Sequence, residues 1–286
     1  MKKRFLSMLI LALVLCLLFG CGSRPAAAQI AATTLPIYEF TSHLCRDTPL
    51  SVTRLVTQNI SCLHNYSLQV AQMRSIEAAQ VVVISGAELE EFLEDILENV
   101  PETIDASLEI PLLEGSEHEE HGADPHIWLS PENARIMARN ICQGLIRKFP
   151  AYEDIFQKNL AALCAELDAL EQYGKETLAE LKCRELITFH DGFSYFAAAF
   201  DLDILYAVEE ESGSEASAAQ LIELIELINS RHLPAIFTEQ NSSDAAAGVI
   251  AAETGVTIYT LDMAMAGESY FDAMYHNIDT IKEALG

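Results

Sequence analysis

The stretch YEDIFQKNLAALCAELDALEQYGKETLAELK, residues 152–182, decides the architecture. Phe156, Leu160, Leu163, Leu167, Leu170, Gly174, Leu178 and Leu181 recur at intervals of three and four along it. That spacing is the apolar stripe of an amphipathic helix. About thirty residues rising 1.5 Å each would span about 45 Å, more than one small lobe needs. The stretch therefore reads as a strut, with residues 30–150 forming one lobe, 151–182 the connecting helix and 183–286 a second lobe.

On either side of the strut, short apolar runs alternate with helical patterns. Strands are expected at 30–35, 50–56, 81–85 and near 110–113 in the first half, and at 186–189, 202–208, 233–238 and 256–261 in the second. They are bounded by turn residues. Helices are expected at 69–79, 89–100, 195–200, 216–230, 243–254 and 270–285. Another begins at Ser130 as N-cap, with Pro131 in the first helical position and Met137, Ile141, Leu145 and Phe149 on one face. Strand–helix alternation of this kind implies an α/β fold with mostly parallel sheets and helix cover.

The N-terminus reads as an export signal. Lys2, Lys3 and Arg4 precede an apolar run from Phe5 to Phe19, the layout of a secretory signal peptide over residues 1–20. Leu18-Phe19-Gly20-Cys21 resembles a bacterial lipobox. Cys21 is accordingly expected to carry acyl chains, with residues 21–29 as anchor and linker; more than one chain suffices for stable anchoring. The expected location is the extracytoplasmic face of the cell membrane. The formal charge of −26 excludes the basic footprint that nucleic-acid binding requires and is compatible with a cationic ligand. Of seven cysteines none forms a CxxC pair, so a thiolate zinc site is not indicated. A Cys45–Cys62 disulfide is the pairing expected in an oxidising compartment.

Eight histidines are present, and placement separates them. His64 lies after the 50–56 strand, His126 after the 110–113 stretch, and His190 directly after the 186–189 strand; Asp262 ends the 256–261 strand. All four follow carboxyl ends of strands, the edge at which open parallel sheets bind ligands. Two come from each half, so one ion held by all four would sit in the cleft between lobes. Three imidazoles and a carboxylate suit a first-row divalent ion and favour zinc over calcium or magnesium. Glu239 also ends a strand and is either the alternative fourth ligand to Asp262 or an orienting partner. Asp191 and Tyr195 read as supports. Ser116-Glu117-His118-Glu119-Glu120-His121-Gly122 is a short acidic, His-containing loop, either a weak collector of ions or a solvated charged loop. His43, His232 and His276 read as structural or surface residues.

Five stretches carry a resemblance to a known family: Asp124-Pro125-His126-Ile127-Trp128-Leu129-Ser130-Pro131, Phe189-His190-Asp191-Gly192-Phe193-Ser194-Tyr195-Phe196, Phe237-Thr238-Glu239-Gln240, Glu253-Thr254-Gly255 and Leu261-Asp262. With them the chain resembles the cluster A-I (TroA-like, ZnuA-type) solute-binding lipoproteins of zinc and manganese ABC transporters, over nearly all of residues 30–285. The resemblance implies two lobes on one long helix and ligand positions at His64, His126, His190 and Asp262. It also implies an ABC permease and its ATPase as partners. Two departures stand out. Cys62-Leu63-His64-Asn65-Tyr66 replaces the family's usual Asp-Pro-His segment, and Met263-Ala264-Met265-Ala266-Gly267 replaces a Pro-containing turn. Manganese members tend to carry Glu where His190 stands, so a third imidazole points to Zn2+, with Mn2+ or iron as the alternative. A non-enzymatic, monomeric protein is expected. A secreted zinc hydrolase is the rival reading, but HExxH, GxSxG and P-loop motifs are missing from the sequence. Asp262 would also close the position that a catalytic zinc keeps open.

Overall fold

The computed structural model describes residues 29–58, 63, 66–115, 122–209, 217–240 and 245–286. The expected signal and anchor, including Cys21, lie outside these residues, as do Cys62, His64, His118 and His121. Among the described residues no helix is long and apolar enough to cross a membrane.

The first half forms β1 (Gln29–Ala32), α1 (Leu35–Leu44), β2 (Ser51–Arg54), α2 (Val70–Ala78), β3 (Val81–Ile84), a 3-10 turn (Glu91–Leu93) leading into α3 (Glu94–Leu97), and β4 (Thr103–Asp105). A second 3-10 turn (Ile127–Leu129) then feeds α4 (Pro131–Lys148). After a further 3-10 turn (Pro150–Tyr152) comes α5 (Glu153–Thr177), the strut. The second half holds β5 (Glu185–His190), α6 (Ser194–Ala199), β6 (Asp203–Glu209), α7 (Ala218–Arg231), β7 (Ala235–Glu239), α8 (Ala245–Thr254), β8 (Thr257–Leu261) and α9 (Tyr270–Leu285). The two sheets share one topology. Their strand orders are β2-β1-β3-β4 and β6-β5-β7-β8, and every pairing is parallel. The α/β expectation holds, and so does the long connecting helix.

Three expectations are corrected. The 110–113 stretch is not a strand; the fourth strand of the first sheet is β4, seven residues earlier. Pro111 cannot donate to a ladder, and Leu112 and Leu113 are exposed. The helix expected over 89–100 is a 3-10 turn followed by a single α turn. It starts late because Gly86, Ala87 and Glu88 all hold positive φ and because the Glu90 carboxylate turns back onto Ser85 N–H and Gly86 N–H. The first strand stops at Ala32, and α1 follows with Pro36 in its first turn. Patterning assigned no helix there, because α1 is buried on most of its faces. Cys62, the partner expected for Cys45, lies outside the described residues. Cys45 is a free, buried thiol, and burial pushes its pKa up to about 12.

The strut buries Phe156, Asn159, Leu163, Leu167, Leu170 and Gly174. Asn159 Nδ2 donates to the carbonyls of Leu44 (3.0 Å) and Arg46 (2.8 Å), closing the open end of α1. Farther along, the Tyr173 hydroxyl donates to Asp279 on α9 at 2.6 Å. One helix thus touches elements of both halves, and a single apolar cluster runs from Ile30 in β1 through Phe156 and Leu167 to Phe237 and Ile281. Helix propensity predicts that Gly174→Ala gains up to about 1 kcal/mol. Packing predicts the reverse, because a Cβ at Gly174 would lie 2.2 Å from the Phe200 ring. Overpacking costs about 1–3 kcal/mol, so Gly174→Ala should lower the urea midpoint of unfolding, whereas a raised midpoint would show that Phe200 yields freely.

Candidate metal centre

In each sheet the strand order reverses between the first and third strands of its half, between β1 and β3 and between β5 and β7. Crevices of this kind open at carboxyl ends of strands and take ligands. Each holds a buried acid, Glu90 in the first and Glu239 in the second, at 4% and 3% exposure.

His190 is the last residue of β5 and Glu239 the last of β7. Thr188 pairs with Phe237, and each of the two end residues lies two positions on. Strand alternation therefore sends both side chains to the same face of the sheet. His126 comes from the first half, immediately before the Ile127–Leu129 turn. It is 2% exposed. Its backbone N–H and its Nδ1 both reach Asp124 Oδ1 at 2.8 Å. A carboxylate only accepts, so the ring proton sits on Nδ1 and Nε2 presents its lone pair. That lone pair faces His190 Nε2 at 3.4 Å, with the two rings perpendicular and their centroids 5.2 Å apart. Gly192 makes this approach feasible: a Cβ there would stand 2.7 Å from His190 Cδ2 and 2.7 Å from the Met263 methyl.

The two imidazoles converge, and the Asp124 carboxylate is bonded to one of them, His126. Asp262 lies just past β8 in a turn, half-buried. Its N–H donates to Asn277 Oδ1 (2.7 Å) and its Oδ1 accepts from Ala264 N–H (2.8 Å). Burial raises its pKa, and the Ala264 bond opposes the rise. Among the described residues no group of three His, Cys, Asp or Glu is close enough to hold one ion. His64 falls outside the described residues, but the chain on either side of it is pinned. Leu63 is buried. The Tyr66 hydroxyl donates to Gln58 Oε1 at 2.7 Å and accepts from Gln72 Nε2.

Trp128 ties this region to the second half. It is fully buried, its indole N–H donates to the Met263 carbonyl at 2.7 Å, and its own carbonyl accepts from the Tyr270 hydroxyl at 2.8 Å. The His126 ring stands edge-on to it, centroids 5.4 Å apart. Sequence reasoning used Asp124 and Trp128 only as parts of a motif. An acid two residues before a candidate ligand histidine was the available signal for Asp124. Glu90 was missed outright, because helical spacing put it on a polar face.

Two parallel-sheet lobes on one helix, with an imidazole from each meeting between them, make a bilobed solute-binding fold. The chain belongs to the ZnuA family, zinc-uptake complex component A, periplasmic, whose model matches residues 30–284. It is 29% identical over 309 residues to the zinc-binding lipoprotein AdcA of Streptococcus pneumoniae serotype 4, across 99% of this chain and 61% of that protein. The chain thus spans under two thirds of that relative's length. It is 27% identical over 242 residues to the manganese ABC transporter substrate-binding lipoprotein PsaA of Streptococcus anginosus, across 78% of each. The crystal structure of ZnuA superposes with a TM-score of 0.82 at 28% identity, covering 91% of this chain and all of that one.

Glu90 offers a test that involves no ligand. It accepts from Thr33 Oγ1 (2.6 Å), Ser85 N–H (2.7 Å) and Gly86 N–H (3.1 Å). Burial outweighs these bonds, and its pKa rises to about 7, with Asp105 adding to the rise. A carboxyl whose pKa is raised by folding stabilises the protein below its unfolded value and loses that contribution as pH climbs through about 7. The loss is on the order of 3 kcal/mol at 1.36 kcal/mol per unit. Metal-free protein should therefore unfold at lower urea at pH 8 than at pH 5, and Glu90→Gln should flatten that slope; equal slopes would remove Glu90 as its source.

Proposed function

We propose that this protein captures a divalent transition metal, zinc in preference to manganese or iron, outside the cytoplasm and delivers it to an ABC permease driven by an ATPase. The metal is cargo, and the protein performs no catalysis on it. The observation that carries the reading is the 3.4 Å separation of the His126 and His190 Nε2 atoms. Two nitrogens each 2.0–2.1 Å from a tetrahedral zinc lie about 3.3 Å apart, whereas a right-angled pair would lie about 2.9 Å apart. The Asp124 carboxylate on His126 Nδ1 is the outer partner that fixes tautomer and ring orientation in histidine metal sites. His64 from the first half completes the imidazole set, and Asp262 or Glu239 supplies the carboxylate.

The names of the relatives point the same way, to zinc in one and to manganese ABC transport in another. Zinc is preferred because three nitrogen donors suit it better than manganese. We place the mature chain on the outer face of the membrane, anchored through acylated Cys21 beside its permease. Residues 30–150 and 183–286 act as the two binding lobes, and residues 151–182 as the strut.

Stripped protein should bind zinc one to one. His126→Ala should weaken binding by more than the ~10–100-fold that loss of an outer partner costs, while His118→Ala should leave the affinity in place. A competition titration against a zinc chelator measures both, and unchanged affinity in a His64→Ala/His190→Ala double variant would overturn the site. Gly192→Ala should also weaken binding, because its methyl would displace the His190 ring.

A further inference from the structure

One hydroxyl joins the two lobes beside the paired imidazoles. Tyr195 lies on α6, five residues past His190, and is 4% exposed. Its hydroxyl donates to the Asp124 carbonyl at 3.0 Å and accepts from the Leu113 N–H at 2.9 Å. Leu113 and Asp124 also bond to each other, Asp124 N–H to Leu113 O at 3.0 Å. An antiparallel bridge between Glu114 and Ala123 follows one residue farther out. Residues 113 and 124 thus form the base of a narrow neck in the first half, and a phenol from the second half pins both of its sides. Asp124 is the residue that receives the His126 N–H and Nδ1. The contacts close a loop: His190, α6, the Tyr195 hydroxyl, Asp124, His126, and back to His190 across 3.4 Å.

We propose that Tyr195 is a positioning residue for metal capture, its hydroxyl setting the separation and mutual orientation of His126 and His190. The proposal rests on the capture reading above and deepens it. A buried phenol suits the task. It has few rotatable bonds, its ring is packed in the core, and its hydroxyl donates and accepts at once. Without the hydroxyl, the Leu113 N–H loses its acceptor and the Asp124 carbonyl loses this donor. The neck can then shift against α6, and His126 moves with the carboxylate that orients it. Phe at this position keeps the ring and its burial, so the change reaches the imidazole pair rather than the fold.

The test uses metal-stripped wild type, Tyr195→Phe and a control, Tyr173→Phe, which deletes the hydroxyl bonded to Asp279 far from the site. Each is titrated with zinc against a competing chelator and then loaded with cobalt(II), whose visible d–d bands report coordination geometry. Tyr195→Phe should bind zinc about 10-fold more weakly, the low end for loss of an outer partner. Its cobalt bands should shift, and its metal-free unfolding should stay cooperative, with the midpoint lowered only by what the unpaired Leu113 N–H and Asp124 carbonyl cost. Tyr173→Phe should match wild type in affinity and spectrum. If wild type binds and Tyr195→Phe gives the same affinity and cobalt spectrum, the positioning role is overturned and the capture reading stands. If wild type binds neither zinc nor cobalt, both fall.

Discussion

The bond from the Trp128 indole to the Met263 carbonyl is the constraint on which the rest of this molecule depends. A buried indole N–H left without an acceptor costs about 1–3 kcal/mol. Trp128 therefore has to sit where the second half offers a carbonyl, and the turn after β8 has to present one. The Tyr270 hydroxyl, bonded to the Trp128 carbonyl, fixes the other side of the same residue. Phe40 of α1 packs edge-on against the Tyr270 ring, centroids 5.0 Å apart. The Glu39 carboxylate accepts from the Tyr270 N–H at the start of α9. Arg54 Nη1 reaches the Gly267 carbonyl at 2.7 Å. The segment between β8 and α9 belongs to the second half by sequence, yet its Met263 and Gly267 carbonyls are both held by the first half.

This arrangement explains where the imidazoles can meet. Two sheets of identical strand order each open a crevice at the reversal of that order. The Trp128 and Tyr270 contacts hold the two halves in a fixed relation. His190 needs no loop to reach the gap, since it is the terminal residue of a buried strand. His126 arrives on a 3-10 turn whose next residues are all fully buried. Both rings are thus carried on backbone that cannot move far without breaking core packing. That rigidity is what holding a small ion at two-ångström bonds demands.

Much of this was legible in the chain. The strut shows because its stripe is long and regular, and the helix expected at 270–285 is α9 with the same bounds, capped by Ser269. The strands of the second half show because they are apolar and bounded by turn residues. What escaped has physical reasons. Helix α1 is packed on nearly every side and so carries no polar face to set a period. Strand β4 contributes only Ile104 to the core. His190 could be singled out as a strand-end histidine, whereas His126 follows no strand, and the contacts that link the two run through Tyr195 and Asp124, which lie 71 residues apart and share no pattern. Glu90 looks like any acid on a helix surface until β1 and β3 are seen to close over it.

The apolar cluster that crosses both lobes has a further consequence. Two lobes with separate sheets suggest two separately stable units, yet Phe156, Leu167, Phe237 and Ile281 belong to one core with Ile30 and Val83. A fragment ending before the strut would expose half of that core to water and would be left without the partners of Phe40 and Trp128. The two lobes are therefore coupled through one shared core, whatever their outward shape suggests. Damage to either end should be felt as loss of the whole, and occupancy of the cleft should protect residues far from it.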